Sequence, residues 1–215
     1  MPSSLQYLTV PVTPFQQNCS LLWDDQSRQA AVIDPGGDTP RILAAVERLD
    51  LKLEQIWITH AHVDHAAATA DLAESLGLPI YGPHPDDQFW IDGLPQAAAM
   101  YHFAPARPFV PTRWLYDQDQ VQIGAHVLQV RHCPGHTPGH VVFHSAAIGR
   151  AFVGDVLFAG SIGRTDFPRG NHDALIHSIT QRLWPMGDHT VFIAGHGPES
   201  TFGQERLSNP FVAGT

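Results

Sequence analysis

Four side chains able to bind a metal ion fall within six consecutive positions of Thr59-His60-Ala61-His62-Val63-Asp64-His65. Ordinary packing does not call for such a density of imidazole and carboxylate. Even in a chain with 14 histidines among 215 residues, a scattered set would not put three in one short segment beside an aspartate. His60 and His62 are two apart, a spacing that places side chains on one side of an extended segment but on different faces of a helix. That pair therefore belongs to a loop. Asp64 and His65 are neighbours and cannot readily converge on the spot that His60 and His62 share. The simplest geometry has the loop serving two ions side by side, and two ions roughly 3.5–4 Å apart form a clamp suited to hydrolysis.

Three further positions have the same chemical character. His136 lies in Pro134-Gly135-His136-Thr137-Pro138-Gly139-His140, where prolines and glycines fix an unusual backbone path beside an imidazole. His136 is the ligand expected there, and His140, at the start of a strand, is expected to be packed or hydrogen-bonded instead. Asp155 follows the apolar run Ala151-Phe152-Val153-Gly154, so a carboxylate ends a buried strand where it needs a positive partner. A metal ion would supply one. His196, in Ala194-Gly195-His196-Gly197, has the same setting at the last strand.

The elements that must position these residues are legible in outline. Leu53 to Ile58 is β-branched and aromatic with partial alternation, a strand whose carboxyl end delivers His60. Ala66 to Leu76 reads as a helix stopped by Gly77. Upstream, Leu5 to Val12 and Cys19 to Trp23 suggest a pair of strands, and Ala30 to Ile33 is a third. That third strand is turned sharply by Asp34-Pro35-Gly36-Gly37. A helix capped by Asp38 or Thr39 follows, with Ile42, Leu43, Val46 and Leu49 on one face. Pro79 to Gly82 is the next strand. From Pro83 to Thr112 six prolines interrupt apolar pieces such as Phe89-Trp90-Ile91, which predicts loop with short helical turns, either a substrate-facing wall or a plain connector. Strands return at Val121 to Val130, Val141 to His144 and Ala151 to Val153. A helix then opens at Asn171 or His172 and runs to about Leu183, and a last strand spans Thr190 to Ala194. Such alternation marks an α/β protein with its site at one edge of the sheets.

The seven residues His60, His62, Asp64, His65, His136, Asp155 and His196 resemble, in order and type, the ligand set of the metallo-β-lactamase superfamily, over nearly the whole chain. The resemblance implies a four-layer αβ/βα sandwich, two β-sheets face to face with helices outside, and a dinuclear site between the sheet ends. It implies that His60, His62 and His136 bind one ion, that Asp64, His65 and His196 bind the other, and that Asp155 bridges them. Asp64 and Asp155 are the expected catalytic carboxylates. The cofactors are expected to be two divalent ions, zinc first, although imidazole and carboxylate suit iron and manganese too. A water bridging two such ions has its pKa brought near 7 and can attack a thioester carbonyl.

Within that superfamily Gly163-Arg164-Thr165-Asp166-Phe167-Pro168-Arg169-Gly170-Asn171 is similar to a motif of the short bacterial glyoxalase II group, hydrolases of hydroxyacylglutathione thioesters such as S-D-lactoylglutathione. Arg164 is then the expected substrate contact, and an Arg–Asp pair closing a tight turn is the alternative for it. The larger glyoxalase II enzymes place basic residues after Asn-Pro-Phe and a Tyr after the last ligand His. Here Asn209-Pro210-Phe211 is followed by Val-Ala-Gly-Thr, and His196 by Gly197-Pro198-Glu199, so weak glutathione binding is expected. The rival activities are an iron-dependent persulfide dioxygenase, using His60, His136 and Asp155, and a lactonase or phosphodiesterase.

Composition narrows the classes. A chain of 215 residues with 43% hydrophobic content can form one large α/β domain, and a single domain over 1–215 is expected. The formal charge of −9 argues against a nucleic-acid partner, so an anionic substrate must be held locally. Cys19 and Cys133 are too few for a disulfide framework. Neither a leader-like start nor about 18 consecutive apolar residues occurs, which predicts a soluble cytoplasmic protein with no membrane partner.

Overall fold

Alternating apolar side chains on nearly every strand leave each sheet with two faces to bury, and the fold satisfies both. The structure, a computed structural model, describes residues 3–214. The first sheet takes β1 (Leu5–Val12), β2 (Gln17–Asp24), β3 (Gln29–Ile33), β4 (Lys52–Trp57) and β5 (Ile80–Tyr81), in that spatial order. β2 runs antiparallel to both β1 and β3, whereas β3, β4 and β5 are parallel. The second sheet is built from β6 (Gln120–Ile123), β7 (His126–His132), β8 (Val141–Ser145) and β9 (Arg150–Gly154). After a small hairpin of β10 (Leu157–Phe158) and β11 (Ser161–Ile162), β12 (Val191–Ala194) joins β9 in parallel, and β13 (Ser200–Thr201) forms the edge.

The period of two sorts side chains into three cores. On β3, Ala31 and Ile33 face inward with Leu22 and Trp57 and meet Val130, Val141, Phe143, Phe152 and Ile193 of the second sheet. Trp57 and Phe143 lie 5.3 Å apart between ring centroids. The opposite face of β3, Ala30 and Val32, packs with Ile42 of α1 (Thr39–Arg48) and with Leu72. On the far side Val142, Ala151, Val153 and Phe192 are covered by Leu175, Ile179, Leu183 and Phe202. The result is the four-layer αβ/βα sandwich that the resemblance implies.

The helix expected over Ala66–Leu76 is instead two pieces, α2 (Val63–Ala66) and α3 (Thr69–Leu76). Helical backbone thus begins three residues earlier, and Asp64 and His65 project from a helical turn, not from the loop. The break has a local cause: the Ala68 amide donates to the Pro35 carbonyl at 3.1 Å, not back to Asp64, so the ladder is interrupted where the β3 turn passes. Between residues 83 and 112 a single 3-10 turn at Pro85–Asp87 leads into α4 (Gln88–Asp92) and α5 (Leu94–Met100). Asn171 caps α6 (His172–Ser178) through Oδ1, which accepts the Ala174 amide at 2.9 Å. A π-turn over Ile179–Leu183 extends that helix to its expected end. The chain finishes with α7 (Phe202–Ser208). Among the described residues no helix is long and apolar enough to cross a membrane.

Candidate metal centre

Each chemically distinctive residue leaves the carboxyl end of a strand. His60 and His62 follow β4, Asp64 and His65 sit on α2, His136 lies between β7 and β8, Asp155 follows β9, and His196 follows β12. The structure brings all seven side chains together at one rim of the sandwich. Within the seven, two groups have donor atoms within 4.8 Å of one another: His60, His62 and His136, and Asp64, His65 and His196.

Asp155 stands between them. Its Oδ2 is 3.6 Å from His136 Nε2 and 3.7 Å from His196 Nε2, and its Oδ1 is 3.3 Å from His65 Nε2. Asp64 Oδ2 lies 3.0 Å from His196 Nε2 and 3.8 Å from His65 Nε2. His62 presents Nδ1, 2.9 Å from His136 Nε2. For comparison, zinc–nitrogen bonds of ~2.05 Å in a tetrahedron give donor separations of roughly 3.3 Å.

The outer nitrogens fix the tautomers. The Thr59 hydroxyl donates to Asp34 Oδ2 at 2.6 Å and its oxygen lies 3.0 Å from His60 Nδ1. That oxygen is left to accept from Nδ1–H, which turns the lone pair of His60 Nε2 to the site. His65 Nδ1 faces Asp34 Oδ2 at 2.9 Å, His136 Nδ1 faces the Arg164 carbonyl at 2.8 Å, and His196 Nδ1 faces the Phe15 carbonyl at 3.1 Å. His60 Nε2, His65 Nε2 and Asp155 Oδ1 are shielded from solvent and have no hydrogen-bond partner. Buried polar atoms without partners are costly, and these three, one in each group and one between them, are nitrogen and oxygen donors that fit divalent cations.

Burial and then the surrounding imidazoles hold His60 well below the usual histidine range, and burial with His136 does the same to His62. Burial also lowers His136. All three are therefore neutral, as ligands must be. Burial alone would raise Asp155, but His65, His136 and His196 hold it far below the usual carboxylate range, so it stays ionised. For His65 the burial penalty is outweighed by Asp155 and Asp64, which push it well above its ordinary value.

Two residues of the site escaped the sequence. Asp34, read only as part of a turn, accepts the Thr59 amide at 2.7 Å and so orients His60 and His65 together. The signal for it was that Asp34 ends an apolar strand just as Asp155 does. Asp87, from the proline-rich stretch, is fully buried. It accepts the Ala61 amide at 3.1 Å, the Gly139 amide at 2.6 Å and the Thr137 hydroxyl at 2.9 Å, tying the His60–His62 loop to the His136 loop. Nothing in its neighbourhood in the sequence marks it. His140 lies outside the seven: its Nε2 accepts the Asp155 amide at 3.0 Å and its ring stacks on His60 at 4.6 Å.

Gly195 is required by close approach, since a Cβ there would overlap Asp155 Oδ1 and the His65 ring. Arg164 lines the cleft in front of the centre. Its guanidinium is held by both oxygens of Asp166 at 2.6 Å and lies 4.2 Å from the Phe167 ring centroid. The Arg–Asp pair is therefore formed as well. The cleft, about 890 Å³, is walled by Trp90 of α4, Ala97 and Met100 of α5, Phe158 and Ile162 of the β10–β11 hairpin, and Phe167, so the proline-rich segment does face it.

Comparison with known proteins follows the same lines. The model of the metallo-beta-lactamase superfamily matches residues 12–196. A hydroxyacylglutathione hydrolase, GloC of Haemophilus influenzae, is 45% identical over 204 residues, covering 94% of this chain and 96% of that protein. The crystal structure of the B3 metallo-beta-lactamase BLEG-1 superposes with a TM-score of 0.89 at 33% identity, covering 97% of this chain and 100% of that one. That of TTHA1623 in a di-iron-bound form superposes with a TM-score of 0.86 at 38% identity, over 95% and 99%.

Proposed function

The chain belongs to the metallo-beta-lactamase superfamily, and we propose that within it the protein is a dinuclear metal-dependent thioester hydrolase. Its substrates are hydroxyacylglutathiones, S-D-lactoylglutathione among them, and its products are the hydroxy acid and glutathione. The observation that carries this is the Asp155 carboxylate, with Oδ2 toward His136 and His196 and Oδ1 toward His65, a bridge between two three-residue groups. The 45% identity to a hydroxyacylglutathione hydrolase supports the substrate class. His60, His62 and His136 would hold one ion, Asp64, His65 and His196 the other, and zinc is our choice for both. Bound there, the two ions would supply hydroxide near neutral pH and polarise the carbonyl.

The chain's own contribution is positional and electrostatic. Asp34 and Thr59 aim His60 and His65, the Arg164 and Phe15 carbonyls aim His136 and His196, and Asp155 fixes the spacing. Asp64 steadies His196 and presents the second carboxylate at the reacting centre. Trp90, Phe158 and Phe167 keep bulk water away from it. A thiolate is a good leaving group, so no general acid is needed for its departure. We place this activity in one domain over 1–215, acting on a small molecule in the cytoplasm.

Elemental analysis of the purified protein, run beside thioester hydrolysis and oxygen uptake with glutathione persulfide, tests it. Two metal equivalents and thioester turnover without oxygen uptake are expected. A single ion with Asp64 and His65 uncoordinated, together with oxygen uptake and no thioester cleavage, would overturn it.

A further inference from the structure

We propose that the cleft in front of the metal centre is an apolar acyl site, so that the protein prefers thioesters of aromatic or several-carbon acyl groups over the small lactoyl group. This rests on the thioester hydrolase function proposed above and specifies its substrate. The ring of Trp90 lies 4.5 Å from that of His62, and Phe167 lies 4.9 Å from His62 and 6.1 Å from Trp90. On the other side Phe158 lies 6.2 Å from His196. A carbonyl within reach of the seven ligands must therefore send its first substituent atoms between rings. That is a setting for carbon, not for charge.

The charges near the cleft make the same point. Arg164 is the one cationic side chain besides the ligand histidines among the described residues lining it. Its charge is already met by Asp166 and its flat face by Phe167. Arg169 is turned onto Phe89, 4.2 Å from the ring centroid. Glutathione carries carboxylates at both ends, and the cleft offers them one guanidinium that already has a partner. The apolar character continues outward: Met100 is 70% exposed, Phe15 45% and Tyr101 41%, and all three line this one cleft. With about 890 Å³ available, a chain of several carbons has room to run along Trp90 and Phe167 toward Met100.

The test uses the metal-loaded protein and two series of thioesters, acetyl, lactoyl, butanoyl, hexanoyl and benzoyl, one on glutathione and one on N-acetylcysteamine. Burial of each further methylene should raise kcat/KM about two- to fourfold on both thiols. Trp90→Ala, or Phe167→Ala should the first fail to fold, should flatten that slope relative to the variant's own acetyl rate. A reading independent of turnover is tryptophan fluorescence titrated with S-methyl- and S-hexylglutathione, in which the hexyl compound should bind about tenfold tighter or more. Trp90→Phe should remove most of the signal. If lactoyl is the best substrate and the slope is flat or falling on both thiols, the apolar acyl site is overturned while the hydrolase stands. If no thioester is cleaved in any metal form but S-hexylglutathione still binds tenfold tighter, the hydrolase is overturned and the apolar site is supported.

Discussion

Substituting Asp87 by Asn separates two opposing effects at a buried carboxylate that no ion needs. Burial pushes Asp87 up from 3.8 to about 7, against the three donors from Thr137, Ala61 and Gly139. The difference of roughly three, at 1.36 kcal/mol per pKa unit, is about 4 kcal/mol. Because the folded pKa is raised, the native state holds more protons than the unfolded chain between about pH 4 and 7, and stability from this group falls as pH rises through that window. Above pH 7 the loss is complete and flat. The substituted amide cannot titrate, but it must turn its NH2 toward either the Gly139 amide or the Ala61 and Thr137 donors, leaving a buried donor unmet at about 1–3 kcal/mol. Wild type has lost about 1.6 kcal/mol by pH 5 and about 4 by pH 8, so Asp87→Asn should lie within about 1.5 kcal/mol of wild type at pH 5 and be more stable than it by about 1–3 kcal/mol at pH 8, where wild type carries the buried charge. Denaturant unfolding of both proteins across pH 4.5–8.5 reads the difference, in which the other titrating groups cancel. A difference constant over that range would refute the reasoning, since it would mean that the three donors keep Asp87 ionised throughout.

Asp155→Ala should lower activity by several orders of magnitude, because it removes the carboxylate between the two groups, whereas His140→Ala, which loses one hydrogen bond and a stacking contact, should cost much less; steady-state kinetics of both at equal metal content decides. Asp34→Asn disturbs His65 directly and His60 through Thr59, and metal affinity should fall roughly 10–100-fold, measured by competition with a chromogenic chelator. Arg164→Ala should raise KM for S-D-lactoylglutathione more than it lowers kcat. Asp166→Asn, which frees the same guanidinium, should lower KM and make it more sensitive to salt, and a KM unmoved by both would remove Arg164 from the substrate site.

How much was legible depends on whether the signal was local. The strands leading to Asp155 and His196 could be placed because β9 and β12, like β3, are short runs of Ala, Val, Ile and Phe bounded by polar or Gly turns. Their alternation separates inner from outer faces, as Ala31 and Ile33 against Ala30 and Val32 show. The ligand histidines stood out by density and by the Pro and Gly around them. What failed was set by contacts distant in sequence. The break between α2 and α3 follows from a backbone bond between Ala68 and Pro35, and Asp87 matters only because folding brings Ala61 and Gly139 to it. The pairing of Arg164 with Asp166 spans two residues, and was foreseeable as a turn; that Arg164 sits over Phe167 at the cleft was not.

The seven candidate ligands come from both halves of the sandwich, so the spacing of the two groups is a property of how the sheets dock. His60, His62, Asp64 and His65 follow the first sheet, and His136, Asp155 and His196 follow the second. Sliding one sheet past the other by a fraction of a residue would pull Asp155 off His65 while leaving each half intact. The structure opposes that slide next to the site. The Val141 amide donates to the Thr59 carbonyl at 2.8 Å, the Asn18 amide to the Gly195 carbonyl at 2.7 Å, and Asn18 Nδ2 to the Ala194 and Gly197 carbonyls. Each bond crosses from one sheet to a strand end or loop of the other within two residues of a candidate ligand or its support. Behind them the Trp57–Phe143 contact fills the space between the sheets. Rigid inter-sheet packing thus does for the two groups what tight loops do for the individual rings: it makes the distance between them a fixed quantity.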